Sequence, residues 1–366
     1  MRATCQRLHP GLRHAFLLAL HASGCASADS GWSPAFVLLW RGAQLVGAVP
    51  LYGKTHSYGE YVFDWAWADA YAQHGLAYYP KWLAAIPFSP IGAPKLLALD
   101  DAARAVLAQV LVDHARTSGW SSLHVLFATE PDIALLAAQG CMARNDVQFH
   151  WRNPGHADFE AYLASLNAEK RRKVRAERRK VAQAGVRLRW VLGHEAQTGE
   201  WAFVERCYRN TYRAHGATPY LNHAFFTQLA RTMGEQVLLV LAERDGEPIA
   251  ATLSLFDETT LYGRYWGAIE PVSGLHFEAC YYTPIEFCIA RGLQVFEGGA
   301  QGEHKLARGF APVRTTSLHW LAHPEFAEAV ERYLSRESQH IASYLDELHE
   351  HLPFRAHHTR SPEVPE

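Results

Sequence analysis

The sequence has 366 residues and only six cysteines, with no CxxC pair among them. Cys5, Cys25, Cys141, Cys207, Cys280 and Cys288 are scattered, which excludes a zinc ribbon and the framework of a disulfide-stapled secreted domain and fits a reducing compartment. Also missing is any apolar run approaching the ~20 residues of a membrane-spanning helix. The apolar stretch at 15–20 is bounded by His14 and His21 and is short for the ~7–15-residue apolar core of a secretory leader, although Ala22-Ser23-Gly24-Cys25 follows it. It reads as an amphipathic first helix ending at Gly24, so the chain is expected to be cytoplasmic and without a transmembrane segment. A large charge of either sign is absent too. With a net charge of −2, bulk electrostatics does not draw the chain to a polyanion, and any nucleic-acid contact has to come from a local patch.

What is present is the composition of a folded chain, 49% hydrophobic and 20% charged, long enough for about two domains at the usual ~100–200 residues each. Its 11 tryptophans, several of them within the first eighty or so residues, indicate aromatic-rich sheets or a lined cleft. A β-hairpin is expected across Gly42, from runs at 35–40 and 44–52. Proline-rich segments follow around 78–92, where long regular structure is disfavoured. Helical periodicity begins at Asp100. Residues 158–185 carry the strongest helix signal, with Asp158 to cap it, Gly185 to end it and no proline or glycine between. Its second half is intensely basic. Arg171, Arg172, Arg175, Arg178 and Arg179 wind around the helix and are candidate nucleic-acid contacts, whose binding would weaken with salt. Ordinary i,i+4 pairs with Glu169 and Glu177 would account for the same charges.

Beyond it the pattern reads β-α-α-β-β-β-α-β-α-β to a late strand at 314–321, a terminal helix follows from Pro324 to about Leu348, and the tail after Pro353 reads as disordered. The densest polar stretch, FEGGAQGEHKLARGF at 296–310, stands behind a short apolar run. Gly298 and Gly299 can turn the chain sharply and let another molecule approach the backbone. Glu297, Gln301, Glu303, His304, Lys305 and Arg308 crowd around that turn, the last four on an expected short helix.

The order of elements in the second half is that of GNAT acyltransferases, and the first half repeats a shorter version of it. The chain resembles the FemAB-like predicted N-acyltransferases, relatives of the Fem aminoacyl and acyl transferases. The resemblance runs through PLYGKTHSYGEYVFDWAWADAY at 50–71, YYPKWLAAIPFSPIG at 78–92, LYGRYWGA at 261–268, LHFEACYY at 275–282 and EGGAQGEHKLARGF at 297–310. It implies an α/β fold with mixed sheets: two GNAT-like domains in tandem (1–157 and 186–352) joined by a basic helical connector (158–185). It also implies an N-acyltransferase that moves an acyl or aminoacyl group from an activated donor to an amine on a small molecule or peptide. No tightly bound cofactor is expected. Acyl-CoA or aminoacyl-tRNA would serve as donor substrate. The glycine-rich Q/R-x-x-G-x-G/A loop that holds coenzyme A in many GNAT enzymes is not complete at 267–276. An acyl-CoA-dependent small-amine acetyltransferase, and a non-catalytic RNA- or peptidoglycan-precursor-binding protein on the same fold, are the alternatives.

Acyl transfer to nitrogen needs a base, because an alkylamine near pKa ~10 is mostly protonated at neutral pH. Glu278, His276, Glu303 and His304 are the candidates; the first two stand at a helix entrance, where Glu278 would equally serve as a capping charge. Lys305 and Arg308 would steady the developing oxyanion, a role the resemblance supports because HKLARGF loosely matches a lysine-bearing stretch of the second Fem domain. Tyr281 and Tyr282 are candidate proton donors to the leaving group, although tyrosines buried in a helix would equally serve packing. His56, Tyr58, Glu60, Asp64, Trp65 and Trp67 are expected to line an acceptor cleft near the domain interface, and Arg264 joins the substrate-binding set. The fourfold spacing of His56, Glu60 and Asp64 would suit a metal on a helix, but the aromatics between them favour a strand, and no metal site is expected.

Overall fold

The computed structural model describes residues 8–299 and 302–354. Of the tail expected to be disordered, residues 355–366 lie outside the described ones, whereas Phe354 bridges to Leu166. The first apolar stretch forms α1 (His14–Ala22), followed by β1 (Trp32–Pro34), β2 (Val37–Arg41) and β3 (Gln44–Val49). The strand expected over 44–52 is broken at Pro50, which has no N–H to give to a ladder. Beyond it β4 (Leu51–Lys54) enters a different sheet. Next come α2 (Trp65–Gln73), β5 (Lys81–Ala84), β6 (Leu97–Ala98), α3 (Asp101–Thr117), β7 (Ser122–Val125), α4 (Glu130–Ala138) and β8 (Met142–Arg152).

The single helix expected over 158–185 is two, α5 (Phe159–Ser165) and α6 (Ala168–Gln183). Asp158 caps the first. Asn167 starts the second by accepting from the Lys170 N–H at 3.0 Å, a local bond that competes with the helical ladder and so interrupts it. The second half comprises β9 (Val186–Leu192), α7 (Thr198–Ala214), α8 (His223–Met233), β10 (Val237–Arg244), β11 (Glu247–Phe256) and β12 (Thr260–Ala268). A helical stretch ending in α9 (Thr283–Arg291) leads to β13 (Val295–Glu297), a 3-10 turn (Glu303–Arg308), β14 (Phe310–Leu321) and α10 (Pro324–Glu350).

Burial explains the strand composition. Residues 237–242 of β10 are buried without alternation because both faces of the sheet are covered, hence their continuous apolar run. On one face Leu239, Leu241, Leu253 and Leu255 pack with Trp201, Val204 and Tyr208 of α7 and with Phe225, Leu229 and Met233 of α8, stripes at helical spacing. On the other face Leu238 and Val240 pack with Tyr282, Ile285 and Phe296. Burying each such side chain contributes about 1.5–3 kcal/mol.

Among the described residues the strands form one eleven-stranded sheet, ordered β1-β4-β5-β7-β14-β8-β13-β12-β11-β10-β9, and a small sheet β2-β3-β6. Two neighbouring pairs in the large sheet are parallel, β5 with β7 and β12 with β13, each joined by a helical crossover as parallel pairing requires. Between them β8 and β14 run antiparallel from Phe310 opposite Trp151 to His319 opposite Met142. The last strand of each half is thereby inserted into the other: β8 lies between β13 and β14, and β14 between β7 and β8.

Gly267 lets α7 lie directly on β12. A Cβ there would stand 2.0 Å from the Cys207 carbonyl oxygen, and backbone on both sides leaves no flexible side chain to yield. Gly267→Ala is expected to destabilise the protein by at least about 1–3 kcal/mol, the range for overpacking. In urea titration this appears as a lower midpoint at unchanged slope, and an unshifted midpoint would contradict it.

Candidate active site

β12 and β13 pair only from Thr260 opposite Val295 to Tyr262 opposite Glu297, and then part. β12 continues along β11, while the other chain turns away at Gly298 and Gly299, the latter with φ of 80°. The splay leaves a cavity of about 590 Å³. Where it opens, β12 carries a bulge: Gly263 pairs with Ser254 and Tyr265 with Leu253, so Arg264 is the extra residue and its side chain is re-aimed. Thr252, Ser254, Trp266, His276, Cys280, Tyr281 and Lys305 line the end on the α9 side, and Tyr61, Pro90, Arg264 and Tyr265 the end toward α7 and the first half. The cavity thus passes through the sheet. A ligand entering from either face would meet the other within it.

The α9 side is built by a π-turn, Glu278–Tyr282, between a short helical turn and α9. One extra residue per turn rotates the helix face, a device common at functional sites. The Tyr281 hydroxyl lies 3.0 Å from His304 Nε2. Burial, reinforced by His304, Arg308 and Lys305, holds His276 down at about 4. His304 is lowered as well, by burial and then by Arg308 and Lys305, so both imidazoles are neutral at pH 7. Lys305 is buried, donates to the Gly299 carbonyl at 2.8 Å, and is pushed down to about 8 by burial. It therefore remains mostly cationic at neutral pH. Beside the turn, Glu297 is raised to about 8 by burial, assisted by Asp257.

Other residues anticipated from the sequence lie elsewhere. Glu278 does not line this cavity; it is buried against Arg178, whose Nε is 3.1 Å from Oε1, and Arg178 also reaches Glu286 at 2.8 Å, in a separate groove beside α6. Arg308 stands behind the cavity. Its guanidinium stacks on Phe277 with 3.4 Å to the ring centroid, binds both Glu177 oxygens at 2.9 Å and donates to the His304 carbonyl at 2.6 Å. Glu177 is thus engaged across the fold rather than in a pair along its own helix. Glu303 accepts from Tyr344 on α10, and Gln301 lies outside the described residues. Of the basic helix, Arg175 pairs with Glu160 and Arg178 with the two glutamates. Arg171, Arg172 and Arg179 have no ion pair among the described residues.

The acceptor set expected in the first half is not brought to the cavity. Residues 55–64 form an irregular loop, neither the helix nor the strand that the spacing suggested. His56 is held by the Ser30 carbonyl at 3.0 Å, Tyr58 and Trp65 pack ring to ring at the surface (4.9 Å), and Trp67 is buried against His319 (5.0 Å). Glu60 and Asp64 are buried around Lys81. Its Nζ donates to Glu60 at 2.8 Å, to Ser57 at 2.8 Å and to Asp64, and Tyr78 donates to Asp64 at 2.6 Å. Burial raises Glu60 to about 7 against the pull of Lys81; burial is also the largest influence on Asp64, but Lys81, His124 and Ser57 together outweigh it and hold that carboxyl low. Among the described residues no group of three or more His, Cys, Asp and Glu side chains is placed to hold a metal ion, and no helix is long and apolar enough to cross a membrane.

Sequence reasoning did not single out Tyr61, Pro90, Tyr265 or Cys280. Tyr265 lay inside the LYGRYWGA block, but a bulge leaves no sequence signature, and Tyr61 and Pro90 arrive by tertiary packing alone.

A family model described as FemAB-like, peptidoglycan biosynthesis/recognition, matches residues 2–356. No curated protein matches the sequence. Among solved structures the fold is similar to that of FemX, with a TM-score of 0.54 and 10% identity over 87% of this chain and 93% of that one. It is also similar to the C-terminal domain of a putative lysylphosphatidylglycerol synthetase from Agrobacterium fabrum, with a TM-score of 0.51 and 12% identity over 68% and 80% of the two chains. L-PGS from Bacillus licheniformis gives 0.50 and 9% over 87% and 95%. These likenesses show the fold alone, a mixed α/β architecture built on one large mixed sheet.

Proposed function

Because the chain belongs to the FemAB-like family, we propose that the cavity at the β12/β13 splay is an acyl-transfer site, joining an acyl or aminoacyl group from an activated donor to an amine. The observation that carries this reading is a passage through the sheet with a buried ammonium, Lys305, at one end and neutral imidazoles beside it. The donor carbonyl enters from the α9 side. The amine enters from the other, its nitrogen lone pair forms the new C–N bond, and the carbonyl oxygen becomes an oxyanion facing Lys305, where a fixed charge in a water-poor site is worth far more than in solution. His304 takes the proton released by nitrogen. As the ester oxygen or thiolate departs with its electron pair, Tyr281 and His304 return a proton to it. Arg308 acts through His304, whose carbonyl it holds.

The test is transfer itself. Protein incubated with isotopically labelled aminoacyl-tRNA or acyl-CoA and an amine-bearing peptide is expected to give a new amide by mass spectrometry with one donor. Binding of either donor with no amide formed would overturn the enzyme reading in favour of a binding protein. Arg171, Arg172 and Arg179 would meet a tRNA backbone, so a tRNA donor predicts salt-sensitive binding that weakens when they are neutralised.

Glu278 has a different expected role from that suggested by its position in the sequence. Held by Arg178 outside the cavity, it steadies the contact of α6 with the π-turn. Glu278→Gln is expected to leave kcat within about a few-fold of wild type while lowering stability by about 1–3 kcal/mol, the cost of weakening a partly buried charged hydrogen bond. A loss of turnover of two orders of magnitude or more, at intact fold, would return Glu278 to the role of base.

A further inference from the structure

The first-half end of the cavity holds a cation that no carboxylate neutralises. Arg264 is surrounded by protein, and the fraction of its surface that stays open faces the cavity it lines. Among the described residues no Asp or Glu oxygen lies within ion-pair distance of it. One guanidinium N–H goes to the Phe88 carbonyl, and the guanidinium carbon lies 5.2 Å from the Tyr265 ring centroid. Tyr61 and Tyr265 line the same end. Glu297, the acid that feels Arg264, is raised to about 8 and so is largely neutral at pH 7. An enclosed guanidinium without a counter-charge has given up hydration that nothing replaces, and a planar five-donor fork matches an oxyanion.

The backbone around this end is strained in a consistent way. Tyr61 and Phe88 adopt positive φ, 62° and 56°, a region bulky side chains rarely occupy, and it is Phe88 whose carbonyl anchors Arg264. Phe88 in turn stacks on Tyr220 at 4.8 Å and 10°, which fixes the loop against the second half. The bulge in β12 supplies the arginine, and two strained loop residues of the first half frame it. Such strain clusters where a ligand is clamped.

We propose that Arg264 forms an anion subsite for the acceptor: the amine that receives the acyl group also carries a carboxylate or phosphate, which docks on the guanidinium and on the Tyr61 and Tyr265 hydroxyls. This inference rests on the cavity being the transfer site. It selects an amino-acid-like or phosphorylated amine over a simple alkylamine, and it orients the nitrogen toward the splay by holding the opposite end of the molecule. The transfer chemistry itself is unchanged.

Binding of small probes without any donor tests it separately from turnover, so a failure here and a failure to form amide are distinct results. Thermal stabilisation and calorimetry are measured with L-lysine, with cadaverine, which is lysine lacking its carboxylate, and with phosphoethanolamine. Lysine or phosphoethanolamine is expected to bind and cadaverine at least about tenfold more weakly, the worth of one charge-assisted hydrogen bond. Binding of lysine alone identifies the anion as a carboxylate, and of phosphoethanolamine alone as a phosphate. R264Q is expected to abolish the difference from cadaverine. R264K, which keeps the cation and loses the fork, should bind the anion with intermediate affinity and serves if R264Q does not fold. Equal binding of cadaverine and the anionic probes, no binding of either anion, or wild-type anion affinity in folded R264Q (in R264K where R264Q does not fold) overturns the proposal.

Discussion

Lys305→Met is expected to lower kcat by about 10²–10³-fold, the usual effect of removing one donor aimed at a developing oxyanion. The methionine keeps the length and apolar stem of the side chain, so the loss is chargeable to the ammonium and to its bond with Gly299. Stability should move the other way or not at all, because burial pushes the Lys305 ammonium down to about 8. The sign follows from proton binding. Between about pH 8 and the unfolded value of ~10.4 the unfolded chain holds more protons at this site, so the folded state gains stability as pH rises through that window. Below about 8 the strained cation is present and the penalty is full. Removing it therefore costs nothing electrostatic, and a buried cation replaced by an apolar isostere is often neutral or stabilising. Turnover in the wild type has the opposite pH dependence: it requires the cation and should fall above about pH 8. Steady-state kinetics from pH 6 to 10 on both proteins decides the matter. If the alkaline limb persists in the methionine variant, or kcat stays within tenfold of wild type, Lys305 is not the oxyanion partner.

The largest expected stability effect lies in the first half. Lys81→Met removes the cation shared by Glu60 and Asp64, leaving two buried carboxylates with only Lys54, 3.9 Å from Glu60, as a neighbouring cation, a change of about 3–5 kcal/mol. Its pH dependence is diagnostic. In the wild type Asp64 is held below its ordinary range, so its contribution is present above about pH 4 and is lost as pH falls further. Glu60, raised to about 7, carries the reverse sign: its penalty is full above that value and is relieved on acidification. Without Lys81 both carboxyls would behave as Glu60 does. The deficit of the variant relative to wild type should shrink as pH is lowered from 7 toward 5, read as converging midpoints in urea titrations. A deficit that stays constant across that range would mean that lost packing, and not the unpaired charge, sets the cost.

The contrast between these two lysines shows what the sequence made legible. Lys305 stood in a run dense in glycines, acids and bases, which a plain solvated turn would also explain, and the strand-then-glycine pattern predicts a turn that exposes backbone. The order of elements in the second half follows directly from periodicity, because helices such as α7 and strands such as β10 carry their burial in their spacing. Lys81 stood in a matched block too, between Pro80 and Trp82, but nothing in that block told that it would be buried or which carboxylates it would meet. Its partners Glu60 and Asp64 read as lining an acceptor cleft because side-chain type cannot say whether a carboxylate meets a ligand or an ammonium 21 or 17 residues away. The same ignorance displaced Glu278, whose partner Arg178 is one hundred residues upstream. Arg264 lay in plain view within a matched block, yet its orientation depends on a bulge that only strand pairing reveals. Local signals gave the strands and helices; the long-range polar pairings, and with them the division of charges between site and scaffold, came from tertiary structure.

The reciprocal insertion of β8 and β14 has a consequence for how the chain is made. On one side β7 pairs with β5, but on the other its partner is β14, with Val125 opposite Leu318. A ribosome adding about 5–20 residues per second needs roughly ten to forty seconds to travel between those positions. Through that interval the β7 edge that β14 covers has no partner. Either half expressed alone is expected to expose the strand edge that the other covers, a template for aggregation that the full chain buries once β14 emerges.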